Sequence, residues 1–449
     1  MAERLARRLG TADAVVVGLS AMIGAGVFAA FAPAAGAAGS WLLAALALAA
    51  LAAYCNATSA ARLAARYPES GGTYVYGRRR LGPFWGYLAG WGFTVGKTAS
   101  CAAMALTFGA YVAPALTRPL AVAAVAGLTA LHLLGVRRSA GAARIMVAFV
   151  LAVLAAVVVV AFLPQPPAGP DPDQTLPSNA RVIDKEQTIE LTDVPPGTYL
   201  PPEPLSLARA ESIGLPGVLQ GAGLLFFAFA GYARIATLGE EVRDPGRTIP
   251  RAIAIALGLT LLVYTLVATA TLSVLGPELL AWSAAPLADV VSVMGAGELR
   301  PVVAAGAAVA ALGALLALLL GVSRTVLAMA RERDLPAPLA VLHPAHQAPR
   351  RAELAVSALV VALLLAADVR GAIGFSSFGV LVYYAITNVC ALTLTREEGA
   401  PPRVVSGLGL ALCVLLAAAL PAISVLSGLA VFAIGAAVWG VRHRRAGPS

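Results

Sequence analysis

Apolar residues fill this chain in long, nearly unbroken runs, separated by short clusters of glycine, proline and charge. A helix needs about 20 predominantly apolar residues to cross a bilayer. Runs of that kind fall at 13–35, 40–64, 84–114, 119–136, 140–163, 215–237, 251–275, 301–329, 352–368, 371–394, 404–420 and 422–441. The pattern predicts an all-α membrane protein of twelve transmembrane helices. The runs at 352–368 and 371–394 are divided only by Asp368-Val369-Arg370. No charged residue lies between Asp13 and Arg62. That interval is far longer than the core of a signal peptide, so the basic start MAERLARRLG leads into a retained helix hairpin.

The longest polar stretch is 164–214. PQPPAGPDPDQTLPSN is Pro-rich and acidic, RVIDKEQTIELTD alternates enough for a short hairpin, and PPGTYLPPEPLSLARAES returns to loop chemistry. The segment is too small for a catalytic domain and reads as a cap or linker, with gating or docking as the alternative. The chain is expected to divide into 1–163, the extracellular loop 164–214, 215–394, and 395–449.

Composition narrows the function. Of 449 residues, 59% are hydrophobic and 12% charged, against about 25% charged in soluble domains. That excludes a cytosolic enzyme, a disordered chain and a nucleic-acid binder. The net charge of +9 sits in short loops, where it carries orientation. Only Arg118, Arg181, Lys185, Arg209, Arg300 and Arg370 fall on the side opposite the termini, while Arg4, Arg7, Arg8, Arg78, Arg79, Arg80 and most other arginines fall with them. Both termini are therefore expected in the cytoplasm of a cell with this protein in its plasma membrane. Cys55, Cys101, Cys390 and Cys413 lie singly in apolar runs, and His343 and His346 share a Pro-broken loop, so neither a disulfide framework nor a metal site is expected. No G-x-x-x-x-G-K-[ST] motif occurs, so ATP is not an expected partner.

Two spans contain glycines where helices are weakest. GLSAMIGAGVF places Gly18, Gly24 and Gly26 mid-span, and LLFFAFAGYARIATLGEE places Gly231 after Phe226, Phe227 and Phe229. Glycine costs about 1 kcal/mol against alanine in a helix. Either these glycines allow close packing of helices, or they mark breaks whose bare N–H and C=O groups bind a ligand. Interrupted first helices in two halves of a chain point to an inverted-repeat transporter site, and such a pocket suits the α-ammonium and α-carboxylate of an amino acid.

From TADAVVVGLSAMIGAGVF through YPESGGTYVYGRRRLGPFWGYLAGW, GVRRSAGAARIMV, FFAFAGYARIATLGEEVRDPGRTIPRAI and GVSRTVLAMARERDLPAPLAVLHP, the chain resembles the amino acid–polyamine–organocation (APC) superfamily, and within it cationic amino acid transporter-like permeases. The resemblance implies a LeuT-like 5+5 inverted repeat: helices 1–5 and 6–10 related by inversion, helices 1 and 6 discontinuous, helices 11–12 peripheral. It also implies that Ile23, Gly24, Ala25 and Gly26 hold the substrate carboxylate. The ammonium would go to carbonyls of Met22, Ile23, Phe227 and Ala230, with Phe227 as an aromatic lid and Ala228 lining the pocket. No cofactor is implied.

Two departures bear on specificity and coupling. Many relatives carry an acid after the aromatic of the helix-6 G-F pair; here Gly231-Tyr232 is followed by Ala233. With Ala25, Ala228, Ala230 and Ala233 uncharged, substrates with neutral or modestly polar side chains are expected. Some proton-coupled relatives have a helix-5 lysine where this chain has Val150, but Lys97 is the sole lysine in any span. A lysine near mid-membrane costs about 2.5–3.5 kcal/mol on insertion scales, so Lys97 is either the coupling residue or a structural lysine bonded to helix ends. Arg234, with Glu240 or Glu241, is expected to form an inner gate. The expected function is secondary active transport of an α-amino acid by alternating access, proton-coupled and sodium-independent. An amino acid exchanger or exporter, or a non-transporting amino acid receptor, is the alternative; intramembrane enzyme chemistry lacks its residue sets.

Overall fold

The computed structural model describes residues 9–69, 71–134, 140–164, 180–182, 189–191, 214–236, 242–341 and 349–445. Helices account for almost all of them. The first apolar run forms α1 (Thr11–Met22), α2 (Ala25–Ala29) and α3 (Phe31–Ala38); then come α4 (Leu42–Arg66), α5 (Thr73–Arg80), α6 (Pro83–Val112), α7 (Thr117–Leu133) and α8 (Ala140–Ala161). After the polar stretch follow α9 (Leu215–Phe229), α10 (Ala233–Ala236), α11 (Pro245–Trp282), α12 (Pro286–Val293), α13 (Arg300–Arg331), α14 (Arg350–Ala366), α15 (Val369–Leu392), α16 (Arg403–Ala419) and α17 (Ala422–Arg445). Among the described residues, nine helical segments are long and apolar enough to cross a membrane. The chain is a multi-pass, helical membrane protein.

Local chemistry sets the boundaries. The divide at Asp368 is sharp because its carboxylate caps α15, accepting from Gly371 N–H at 2.8 Å. Between α5 and α6 the chain turns at Gly82, whose φ of 104° needs glycine, and Pro83 opens the next helix at its first position. α11 bends at Gly276 (φ 70°), just before Pro277. In the polar stretch, the alternating segment pairs as expected: Ala180–Val182 and Ile189–Leu191 are antiparallel strands with Arg181 opposite Glu190.

α6 is the central pillar, packed between α13 and α15, while α4 packs on α9 and α11. Small residues bring these helices close. Gly96 and Gly379 face each other across the α6–α15 crossing, where a Cβ on Gly379 would sit 3.0 Å from Gly96 Cα. Little hydrophobic force acts between helices in lipid, so such contacts and interhelical hydrogen bonds carry the assembly. One polar pair joins α7 to α14: His132 Nδ1 lies 2.5 Å from Glu353 Oε1, and one turn away Thr129 and Ser357 hydroxyls meet at 2.7 Å.

Charges gather where α5 and α15 end. Arg78 Nη1 pairs with Asp334 at 3.0 Å, Tyr74 O–H donates to the same carboxylate at 2.7 Å, and Arg80 holds Glu398 at 2.6 Å with Arg66 3.5 Å away. The hydrogen bond from Arg80, helped by Thr395 N–H, holds the Glu398 carboxyl down to about 2. A carboxyl depressed on folding stabilises above its unfolded value and loses that contribution as pH falls toward the folded one. The melting-temperature advantage of the native chain over Glu398→Gln should therefore be modest at neutral pH, because the pair is partly open to solvent, and should close between about pH 4.5 and about 2.

Candidate functional site

Helix 1 is broken, at Ile23-Gly24. α1 ends when Ile23 turns away (φ −81°, ψ 56°) after its N–H bonds Leu19 O at 2.7 Å; Gly24 (φ −107°, ψ −145°) then leads into α2, which starts without a side-chain cap. The break falls at the front edge of the expected Gly24–Gly26 interval. The smaller irregularity between α2 and α3 follows from Pro33, which has no N–H for Ala29 O. Ala30 keeps helical angles (φ −80°, ψ −21°) and bonds Gly26 O at 2.9 Å, so α2 runs on into α3.

Helix 6 tightens where a break is expected. α9 ends at Phe229, Ala230–Tyr232 forms a single 3₁₀ turn, and α10 resumes at Ala233. Ala230 (φ −63°, ψ 0°) stays close to helical geometry, so the interruption near Phe229–Gly231 is a change of hydrogen-bonding pitch rather than an extended gap. A 3₁₀ stretch inside a helix marks a hinge or local strain.

The two irregular stretches touch. A Cβ on Gly231 would lie 2.4 Å from Ala21 O and 2.7 Å from Met22 N; one on Gly26 would lie 2.8 Å from Ala228 Cα. Gly24 is equally tight against α13, 2.9 Å from Ala314 Cβ. Close packing and a helix break thus coincide at the same glycines. Tyr264, fully buried on α11, ties the pair: its hydroxyl donates to Met22 O at 2.6 Å and lies 3.1 Å from Ala228 O. Phe229 and Phe31 flank its ring edge-on, at centroid distances of 5.1 and 6.0 Å. Ending a helix exposes carbonyls that must find a donor, and Tyr264 supplies one.

Beside this junction lies a cavity of about 170 Å³. Lys97, Ser100 and Met104 form its α6 wall; Ala21, Phe227, Ala230, Gly231, Ala233 and Arg234 line the helix 1 and helix 6 side; Ala314, Gly321, Arg324 and Thr325 line the α13 side. Lys97 is only 6% exposed and makes no hydrogen bond or ion pair among the described residues. Ser100 is turned toward α15, its hydroxyl 2.6 Å from that of Ser376.

Over residues 9–441 the chain matches the family model described as amino acid permease. The chain belongs to the amino acid permeases, within the APC superfamily. It is 59% identical to an uncharacterized transporter of Mycobacterium tuberculosis, covering 98% of this chain and 92% of that protein. It is 25% identical to the branched-chain amino acid permease of Bacillus subtilis over 99% of this chain and 94% of that protein. Cationic amino acid transporter 4 of Homo sapiens is 26% identical, over 90% of this chain and 62% of its own length.

In this permease, four of the expected residues, Phe227, Ala230, Lys97 and Arg234, share the cavity wall. Met22, Ile23, Gly24, Ala25, Gly26 and Ala228 do not line it; they are buried immediately behind, in the contact between helices 1 and 6. Glu240 and Glu241 lie outside the described residues, as do His343 and His346. Two residues escape sequence reasoning. Arg324 is a third cation on the cavity wall, detectable by counting arginines along with lysines in 301–329. Tyr264 has no local signal, because one tyrosine in an apolar run is ordinary until its contact is known. Tyr264→Phe removes a hydrogen bond with a net worth of about 1 kcal/mol. It should lower amino acid uptake several-fold while the protein remains folded, as uptake and thermal unfolding measured together would show; unchanged uptake would mean that Met22 O needs no such donor.

Proposed function

We propose that this permease is a secondary active transporter that moves an α-amino acid across the plasma membrane by alternating access, driven by protons and independent of sodium. In this reading the twelve apolar runs are twelve spans, 1–163 and 215–394 are inverted repeats, 164–214 lies outside, 395–449 adds helices 11–12 with a tail, and both termini are cytoplasmic. One observation carries it: the break at Ile23-Gly24 rests on the 3₁₀ turn of helix 6, beside a cavity holding a buried, unpaired lysine.

The chemistry follows from those groups. Where the contact between helices 1 and 6 opens toward the cavity, backbone N–H groups at Gly24, Ala25 and Gly26 attract the substrate carboxylate. Carbonyls at Met22, Ile23, Phe227 and Ala230 take its ammonium; Tyr264 occupies one lone pair of Met22 O and leaves the other. Phe227 covers the substrate from the cavity wall. Arg234, with Glu240 or Glu241, closes the cytoplasmic side. The Lys97 ammonium stands where a coupling cation would, and its proton is the coupling ion.

The test is uptake of labelled amino acids by proteoliposomes, with and without an inward proton gradient, in sodium-free buffer. Gradient-driven accumulation supports the proposal. Exchange only against internal amino acid would make the protein an exchanger, and ligand-induced thermal stabilisation without flux would make it a receptor. Gly26→Val, whose side chain must displace Ala228, should abolish uptake; wild-type uptake by that variant would remove the helix 1–helix 6 junction from the mechanism.

A further inference from the structure

Among the described residues, every charged side chain that lines the cavity beside the junction is a cation. Gly90, Phe93, Lys97, Ser100 and Met104 form one stripe of α6 at i+3 and i+4 spacing, about 21 Å long at 1.5 Å per residue. Ala314, Ala317, Gly321, Arg324 and Ala328 form the facing stripe of α13, and the alanines and glycine among them leave the space open. Lys97 sits at mid-helix, buried; Arg324 sits nearer the end of α13 and is exposed. Neither has an ion-pair partner among the described residues. Arg234 adds a third cation to the wall, and no Asp or Glu among the described residues lines it. The carboxylate tied to the wall through Tyr74, that of Asp334, already faces Arg78 at 3.0 Å.

Charge balance then discriminates among amino acids. A zwitterion has no net charge, so its α-groups leave the buried ammonium of Lys97 uncompensated, and an uncompensated charge in a dry site is costly. A lysine or arginine substrate would add like charge. A second carboxylate supplies the missing counter-charge. We infer that the cavity selects α-amino acids with an acidic side chain, whose carboxylate is held by Lys97 at mid-membrane and met first by Arg324 at the mouth. The expectation of neutral substrates rests on alanines around the helix breaks, which describe the surroundings of the α-groups; the charge stands farther along α6 and α13, where a side chain would reach. Coupling fits the same arrangement. The protonated lysine holds the carboxylate, and loss of that proton releases both.

This inference rests on the proposed transport of amino acids. Its test is ligand binding to the purified full chain, by thermal shift and titration at low salt, with L-glutamate and L-aspartate against L-glutamine, L-asparagine and L-lysine. The acids should bind at least about tenfold tighter than their amides, a difference of about 1.4 kcal/mol, and L-lysine most weakly. Lys97→Gln and Arg324→Gln should each collapse the acid-to-amide ratio, while Lys97→Arg retains it. Amides that equal or outbind the acids in the native protein would overturn the inference, as would a ratio unchanged in both glutamine variants. Binding of neutral amino acids without acid preference overturns this inference alone; binding of no amino acid overturns the transport reading with it.

Discussion

Proteoliposomes containing Lys97→Ala should lose proton-driven accumulation of substrate while still binding the neutral amides. Lys97 is the sole lysine of any apolar run, lies at mid-span of α6, is buried, and faces a cavity with no acid among its described lining residues. Keeping an ammonium there has an insertion cost of about 2.5–3.5 kcal/mol, which a purely space-filling residue would avoid. In the proposed mechanism, removing it takes away the charge that exchanges a proton during the cycle. Lys97→Arg keeps a charge that does not titrate, so it should bind acidic substrates and fail to accumulate them. Uptake measured at several inward proton gradients and constant membrane potential separates the two variants. Gradient-driven uptake unchanged in Lys97→Ala would make the lysine structural.

A second large effect is expected from a single methyl group. Gly231→Ala puts a Cβ 2.4 Å from Ala21 O, a backbone atom at the end of α1. No rotamer relieves that contact, so either the 3₁₀ turn or the end of α1 must move. Overpacking of this kind costs about 1–3 kcal/mol. The displaced atoms adjoin Met22 O, the acceptor of Tyr264. The variant should melt below the native protein and transport little. Gly258→Ala on α11, where the added Cβ meets nothing within 4 Å, provides the control: helix propensity alone favours alanine by about 1 kcal/mol, so stability should hold or rise. Wild-type melting and uptake in Gly231→Ala would show that helices 1 and 6 are not held together by this contact.

The features legible in the sequence are those written in local pattern. Apolar runs give the helices, alternation in RVIDKEQTIELTD gives the short hairpin, and Gly24 between apolar residues gives the break in helix 1. Helix 6 shows the limit of that reasoning. A glycine between aromatics indicates irregularity, but whether Ala230–Tyr232 unwinds or merely tightens depends on the α1 backbone pressing on Gly231. His132 looks uninformative until Glu353, 221 residues away, is found 2.5 Å from its ring nitrogen. Tyr264 is silent for the same reason, since its role is defined by two carbonyls on other helices. The cavity's charge falls between these cases: Lys97, Arg234 and Arg324 are visible one by one, but only the packing of α6 against α13 brings them to one wall.

Sodium-free proteoliposome uptake with an imposed inward proton gradient tests the central claim most directly. The account predicts that a labelled α-amino acid accumulates above its external concentration and that a protonophore abolishes the accumulation. Accumulation that requires sodium, or ligand binding with no flux under any gradient, would contradict it.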